Sequence, residues 1–227
     1  MAAARELVII GAGGFGRETA EAVRALNDYG AHWKLGGYLD DDPARHGTAI
    51  DGSPVLGSTD ELGNLTDVSV VVCTGRPDNY FSRRRIVERL ALPPERYATI
   101  VHPSASVSAT SRLGPGTVLL AQTVLTATVT VGSHVAVMPH VTLTHDDVID
   151  DFATIASGVC LGGNVHVGRS AYVGAGALVR EERSIGAGAL VGMGAVVTRD
   201  IPAGEVWAGV PARRLRSAPS ASSAAAG

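Results

Sequence analysis

A period of six constrains this chain more than any other feature. From Val101 onward every sixth residue is aliphatic: Val101, Val107, Leu113, Leu119, Leu125, Val131, Val137, Leu143, Ile149, Ile155, Leu161, Val167, Val173, Val179, Ile185, Val191 and Val197. All seventeen positions hold Val, Leu or Ile, and the register never slips. Four places after each, the residue is usually small or β-branched, as at Ala105, Ser111, Thr117, Thr123, Val129, Ala153, Ala171, Ala177, Ala189 and Ala195. Glycine often follows the aliphatic residue directly, as at Gly114, Gly132, Gly168, Gly174, Gly186 and Gly192. This period matches neither a helix nor an alternating strand. It is the signature of a parallel β-helix, in which each hexad forms one flat side. Three sides close a triangular coil of about 18 residues, with successive coils about 4.8 Å apart. Residues 101–202 then supply between five and six coils, and the unbroken register predicts no large inserted loop.

The first hundred residues follow a different rule, alternating strand with helix. "ELVIIG" (6–11) and "KLGGYLD" (34–40) read as strands, and the valines of "DVSVVVCTG" (67–75) suit a parallel strand covered on both faces. Helices are expected over 16–27 and 79–91, the second stopped by Pro93 and Pro94. Such alternation implies a parallel α/β sheet. The domain reading is therefore a Rossmann-like α/β domain over 1–98 and a β-helix over 99–216. The Ser/Ala/Gly-rich tail over 217–227 is expected to be disordered.

Composition narrows the classes of function. Of 227 residues, 45% are hydrophobic and 18% charged, enough to bury a core. The net charge is −3 and no basic stripe with interleaved aromatics occurs, which argues against nucleic acid as a partner. The one basic cluster, Arg83, Arg84 and Arg85, reads as a solvated helix face with Glu88. Cys73 and Cys160 lie far apart, with no CxxC, so neither a disulfide framework nor a zinc knuckle is expected. No apolar run approaches the roughly 18 residues of a membrane span. The opening "MAAARELVII" lacks signal-peptide features, so a cytoplasmic protein is expected.

Two motifs interrupt these regular patterns. "GAGGFG" matches GxGxxG through Gly11, Gly13 and Gly16, follows an expected strand and opens an expected helix. Such a loop lets phosphate approach backbone amides at a positive helix end. Asp40, at the end of the second strand, stands near the spacing of a ribose-binding carboxylate; alone, these features suggest NAD. The second motif is "THDD" (144–147), a polar cluster inside the hexads. An imidazole with a free pKa near 6.5 suits a general base, and a neighbouring carboxylate orients and strengthens it. The alternative is a solvated corner. Asp147 and Asp150 read as surface residues, with Asp147 a second candidate for orienting the ring.

The hexads, "VGAGALV", "VGMGAVVTRDIPAG" and "WAGVPARRL" resemble the left-handed β-helix acyltransferases. With the opening "VIIGAGGFGRE" and "YLDDD", the chain resembles the sugar acyltransferase family typified by NeuD and PglD over about residues 5–215. The resemblance implies a homotrimer with acetyl-CoA or another acyl-CoA in the groove between solenoids. It implies an N-terminal domain that binds a nucleotide sugar or other small-molecule acceptor, and direct attack of an acceptor amine or hydroxyl on the thioester. Carried over residue by residue, it makes His145 the general base and Asp146 its partner. It places Thr154, Gly163, Ala175 and Met193 at acyl-CoA. It places Gly13, Gly14, Phe15, Asp40 and Asp41 at the acceptor, with Thr74 and Gly75 as weaker candidates, and it requires no metal.

Three positions depart from the family pattern. Relatives often carry histidine where Thr154 stands, many carry histidine at Phe15, and some carry asparagine at His140. The last two point to an acceptor other than a standard UDP-amino sugar. His140 and His145 also show the five-residue spacing of zinc histidines in enzymes resembling gamma-class carbonic anhydrases, with His102 or His134 as a third ligand. Those enzymes lack the N-terminal α/β domain. A non-catalytic β-helix scaffold or nucleotide sensor is the remaining rival.

Overall fold

The computed structural model describes residues 5–219. The chain opens with β1 (Arg5–Ile10), α1 (Gly14–Asp28) and β2 (Trp33–Leu39), continues through β3 (Ala49–Ile50), β4 (Ser53–Gly57) and β5 (Ser69–Val72), and reaches α2 (Ser82–Leu90). The sheet order is β3-β4-β2-β1-β5, with β1 parallel to both β2 and β5. β1 is the central strand, and Leu7 to Ile10 are buried as its unbroken apolar run requires. The β3–β4 hairpin is an addition to the sequence reading. Its Gly52, Pro54 and Gly57 carry loop chemistry, yet β4 lies parallel to β2 and extends the sheet.

From Ile100–Val101 to Val196–Val197 a two-residue strand recurs every six residues, and each ends on the hexad aliphatic. Strands three hexads apart pair in parallel, so Val124 stands beside Thr142 and Thr142 beside Cys160. Three sheets result, and the solenoid is a left-handed parallel β-helix. The first face carries Ala136–Val137 and Thr154–Ile155, the second Thr142–Leu143 and Cys160–Leu161, the third Val148–Ile149 and His166–Val167. The aliphatics point inward and form one core with the small corner residues. A hairpin of Glu205–Ala208 and Arg213–Ser217 closes the first sheet. The tail expected from Ser217 lies outside the described residues from Ser220 on, while Ser217 itself ends the last strand. Among the described residues no helix is long and apolar enough to cross a membrane.

The N-terminal domain sits on the first face. Ile100, Val118 and Leu120 share an apolar cluster with Leu7, Ile9, Val23 and Tyr38. At the corner between the third and first faces, Gly116, His134, Phe152, Ser170 and Gly188 stack in successive coils, all with left-handed φ. The His134 ring lies flat on Phe152, centroids 5.1 Å apart, with Tyr97 edge-on at 4.5 Å. Tyr80 Oη donates to the Gly188 carbonyl.

Arg83 corrects the sequence reading of a solvated basic cluster. Arg84 does pair with Glu88 on the surface, but Arg83 is only 1% exposed. Its Nε donates to His134 O at 2.7 Å, its Nη1 to Thr74 O at 2.7 Å, and its Nη2 to Phe152 O, Ala153 O and Thr154 Oγ1 at 2.8–3.0 Å. Burial lowers its pKa to about 10, which leaves it charged at neutral pH. The corner carbonyls, rather than a carboxylate, satisfy the cation.

Arg83→Met keeps the aliphatic length but takes the guanidinium away from five acceptors, of which Ala153 O alone keeps a backbone donor, Ala136 N. It should cost roughly 3 kcal/mol or more, read as a lower urea midpoint. Burial and the adjacent Arg83 push the His134 pKa from 6.5 to about 4. The unfolded chain therefore binds this proton first, and stability should fall as pH drops from 6.5 towards 4. His134→Phe places at this corner the ring that Phe152 already supplies one coil on, and it should flatten that fall in a series of Tm measurements.

Candidate active site

The polar cluster forms the corner between the second and third faces. Thr128, Asp146, Asn164 and Glu182 occupy its left-handed positions in successive coils. Asp and Asn tolerate this conformation better than most residues, which gives Asp146 a structural reason to be there. Its Oδ2 meets His145 Nδ1 at 2.9 Å. With a proton on Nδ1 donated to the carboxylate, Nε2 carries a free lone pair. Both side chains are exposed, so the imidazole opens to the outside of the solenoid.

One coil on, Gly163 packs under the ring. A Cβ there would lie 2.4 Å from both Cε1 and Nε2 of His145. Gly163, expected at acyl-CoA, therefore also sets the space the imidazole occupies. Ala175 and Met193 lie at the opposite corner of the second face, Ala175 half-buried and Met193 78% exposed. That face presents Val124, Thr142, Cys160, Leu178 and Val196 outward. The dyad and these two positions thus border one largely apolar face. Thr154 does not join them: it is buried on the first face and its hydroxyl accepts from Arg83, a correction to its expected place in the groove.

Asp147 is a second correction. It is fully buried rather than on the surface. Its Oδ2 accepts from Thr144 N at 2.8 Å and its Oδ1 from Val165 N at 2.9 Å. Burial pushes its pKa up to about 7 against those two hydrogen bonds. It does not orient the ring directly, since Asp146 holds Nδ1.

The glycine-rich loop borders a cleft of about 1070 Å³. Gly13, Gly14, Phe15, Asp40, Thr74 and Gly75 all line it. At Gly16 a Cβ would lie 1.9 Å from Gly11 O, so glycine lets α1 start directly against the loop. Gly13 caps α1 without a side-chain bond, and added Cβ atoms at Gly13 and Gly14 would meet nothing. The positive end of a 15-residue helix thus faces open space, as anion binding requires. Asp40 Oδ2 accepts from Ala12 N at 2.7 Å and steadies the loop. Asp41, expected at the acceptor, turns away instead. Thr59 N and Oγ1 and Arg89 donate to it. Burial alone would raise its pKa, but the Thr59 and Arg89 hydrogen bonds outweigh it and hold the carboxyl below its usual range. Asp42, Arg45, Arg76, Asn79 and Ser82 also line the cleft. Of these, Asp42 directly follows the acidic pair of the second motif strand, and the others had no motif to single them out.

The cleft and the dyad are separate within one chain, because the N-terminal domain covers the first face while His145 stands at the corner of the second and third. The histidine triad considered from spacing is also dispersed. His140 and His145 flank opposite ends of the strand Thr142–Leu143, and His134 is buried between Tyr97 and Phe152. Among the described residues no three His, Cys, Asp or Glu side chains converge as metal ligands.

An α/β domain with an open glycine-rich loop, joined to a β-helix bearing a His–Asp pair on a corner, defines a hexapeptide-repeat acyltransferase. Residues 6–90 match the PglD N-terminal domain family. The UDP-N-acetylbacillosamine N-acetyltransferase of Bacillus subtilis (strain 168) is 31% identical over 119 residues, 52% of this chain and 52% of that one. This match spans about half the length of the curated relative. The acetyltransferase domain of PglB from Neisseria gonorrhoeae FA1090, solved with acetyl coenzyme A, superposes with a TM-score of 0.82 at 33% identity, covering 93% of this chain and 100% of that one. PerB from Caulobacter crescentus, solved with CoA and GDP-perosamine, gives 0.82 at 30% identity, covering 92% and 97%. The chain belongs to the NeuD/PglD-like family of sugar acyltransferases.

Gly163→Ala should displace the imidazole while leaving the solenoid folded. Turnover is expected to fall about tenfold or more, with an unchanged far-UV spectrum as the control.

Proposed function

We propose that this protein transfers an acetyl or other acyl group from acyl-CoA to an amine or hydroxyl of a nucleotide-activated sugar or related small molecule. The observation that carries the reading is the corner dyad, with His145 Nδ1 held by Asp146 and Nε2 free beside an apolar face. The acceptor nucleophile attacks the thioester carbonyl as Nε2 takes its proton. The tetrahedral intermediate then collapses, the C–S bond breaks, and the imidazolium returns the proton to the leaving thiolate. Asp146 stabilises the imidazolium while it exists. No acyl-enzyme is needed.

Acyl-CoA lies along the second face, between Gly163 near the dyad and Ala175 and Met193 at the far corner. The acceptor's phosphates meet the amides of Gly13 and Gly14 at the start of α1, and Asp40 and Thr74–Gly75 flank the rest. The complexes of PglB with acetyl coenzyme A and of PerB with CoA and GDP-perosamine support this pair of ligands. Phe15 gives the cleft an apolar wall, which favours an acceptor different from a standard UDP-amino sugar. The separation of cleft and dyad favours a homotrimer, in which the domain of one protomer brings the acceptor to His145 of its neighbour. A cytoplasmic setting fits, since acyl-CoA and nucleotide sugars are both available there.

The deciding experiment is free-thiol release from acetyl-CoA with a panel of UDP-, GDP- and dTDP-amino sugars, sialic acids and simple amino sugars. Release should require an acceptor, and His145→Ala should reduce it by about 10² or more. Near-normal turnover in that variant would remove His145 from the mechanism.

A further inference from the structure

Asp147 occupies a slot that the solenoid fills with small or aliphatic residues from Ala105 to Ala195, except at Asp147 itself and at the half-buried Arg183 two coils on. From Thr117 to Ala177 its register equivalents are Thr123, Val129, Val135, Val141, Ala153, Val159, Val165 and Ala171 together with those two ends, all buried. Asp147 is the only fully buried carboxylate among the described residues. Two of the three hydroxyl residues in the slot, Ser111 and Thr117, show what a hydroxyl accomplishes there. Ser111 Oγ accepts from Val129 N, and Thr117 Oγ1 accepts from Val135 N, each one coil on. Asp147 Oδ1 repeats this link with Val165 N. A hydroxyl would be enough for that link.

The second oxygen does something neither hydroxyl does. Asp147 Oδ2 accepts from Thr144 N, the residue before His145, and so closes the turn that carries the dyad. Thr144 Oγ1 also donates to Leu161 O, in the coil that leads to Gly163. The turn is thus clamped to the coil supplying the floor under the imidazole. The other titratable groups facing the carboxylate are His145 and Asp146 themselves.

We propose that Asp147 is a positioning residue for acyl transfer, whose buried carboxylate fixes the Thr144–His145–Asp146 turn over Gly163. This rests on the acyltransferase reading above for its effect on rate, although the geometric effect on His145 does not. Retaining a carboxylate here opposes folding. Its pKa rises from 3.8 unfolded to about 7 folded, so its contribution to stability worsens as pH climbs through that window.

Asp147→Thr separates the two links. Threonine fits this slot at Thr117, where it makes the inter-coil bond, but it has no second acceptor for Thr144 N. Asp147→Val, matching Val129 and Val141, removes both. At pH 8 each variant should keep or raise Tm, while kcat falls about tenfold or more and the KM for acyl-CoA and acceptor stays within about twofold. Side-chain ¹⁵N spectra give a readout independent of turnover. The intact protein should show His145 protonated at Nδ1 with Nε2 free, and Asp147→Thr should show a mixture of tautomers. Unchanged kcat in Asp147→Thr, or an unchanged imidazole signature, would overturn the proposal. A lower Tm together with KM values raised in step with the loss of kcat would also count against it, as the mark of a merely structural role. Should the intact protein transfer no acyl group at all, the transferase reading fails and the imidazole spectra alone decide the positioning role.

Discussion

Parallel hydrogen bonding between successive coils is the constraint on which the rest of this molecule depends. Thr142 N reaches Val159 O, and Cys160 N reaches Ala177 O, one coil apart each time. A residue's spatial neighbours are therefore the residues 18 places away, whatever their chemistry. This ladder stacks Gly163 on His145 and Val165 on Asp147. It also leaves almost no room at some corners. A Cβ at Gly114 would lie 2.6 Å from the backbone of Gly132, and one at Gly132 2.7 Å from that of Asp151. Close approach of corner to corner is a general condition of the coil, and the His145 corner uses it to seat a ring.

A β-helix corner also exposes unpaired backbone dipoles, and the chain matches them with two buried charges. At the corner of the third and first faces, carbonyls of His134, Phe152 and Ala153 converge on the guanidinium of Arg83. At the corner of the second and third faces, the amides of Thr144 and Val165 converge on the carboxylate of Asp147. Neither charge has an opposite charge as its main partner. Each is satisfied by peptide groups whose direction the solenoid fixes, which makes the charge specific to its corner. The arginine holds the N-terminal domain to the solenoid, and the aspartate holds the turn that bears the histidine.

The hexads, the central strand β1 and the glycine-rich turn are legible in the sequence because each is a local pattern with one physical reading. The pairing of His145 with Asp146 is legible because the residues are adjacent and a left-handed corner suits aspartate. Arg83 is not, because its neighbours Arg84 and Arg85 and its helix give no sign of which arginine faces the solenoid. Asp147 reads as a surface residue because polarity usually means exposure. Its hexad slot says otherwise, since every register-equivalent residue from Thr117 to Ala177 is buried. Thr154 and Asp41 are misplaced for one reason: a hydroxyl or carboxylate is assigned to a ligand, while Arg83 and Thr59 have already claimed them. Competition from within the fold cannot be seen until the partners are in place.

The two halves divide the chemistry along a physical line. The dyad needs only the coil, because His145, Asp146, Gly163 and Asp147 are all held by the 18-residue ladder. The glycine-loop cleft needs only the α/β sheet, because its loop is braced by Asp40 on Ala12 and by glycines where α1 meets the loop. The contact that joins them is different in kind: Arg83 binds Thr74 of the cleft rim and the carbonyls of the corner with the same guanidinium. Substitutions such as Phe15 can therefore reshape the cleft without disturbing the dyad. A change in the seam has no such freedom, since it moves the cleft and the solenoid relative to each other.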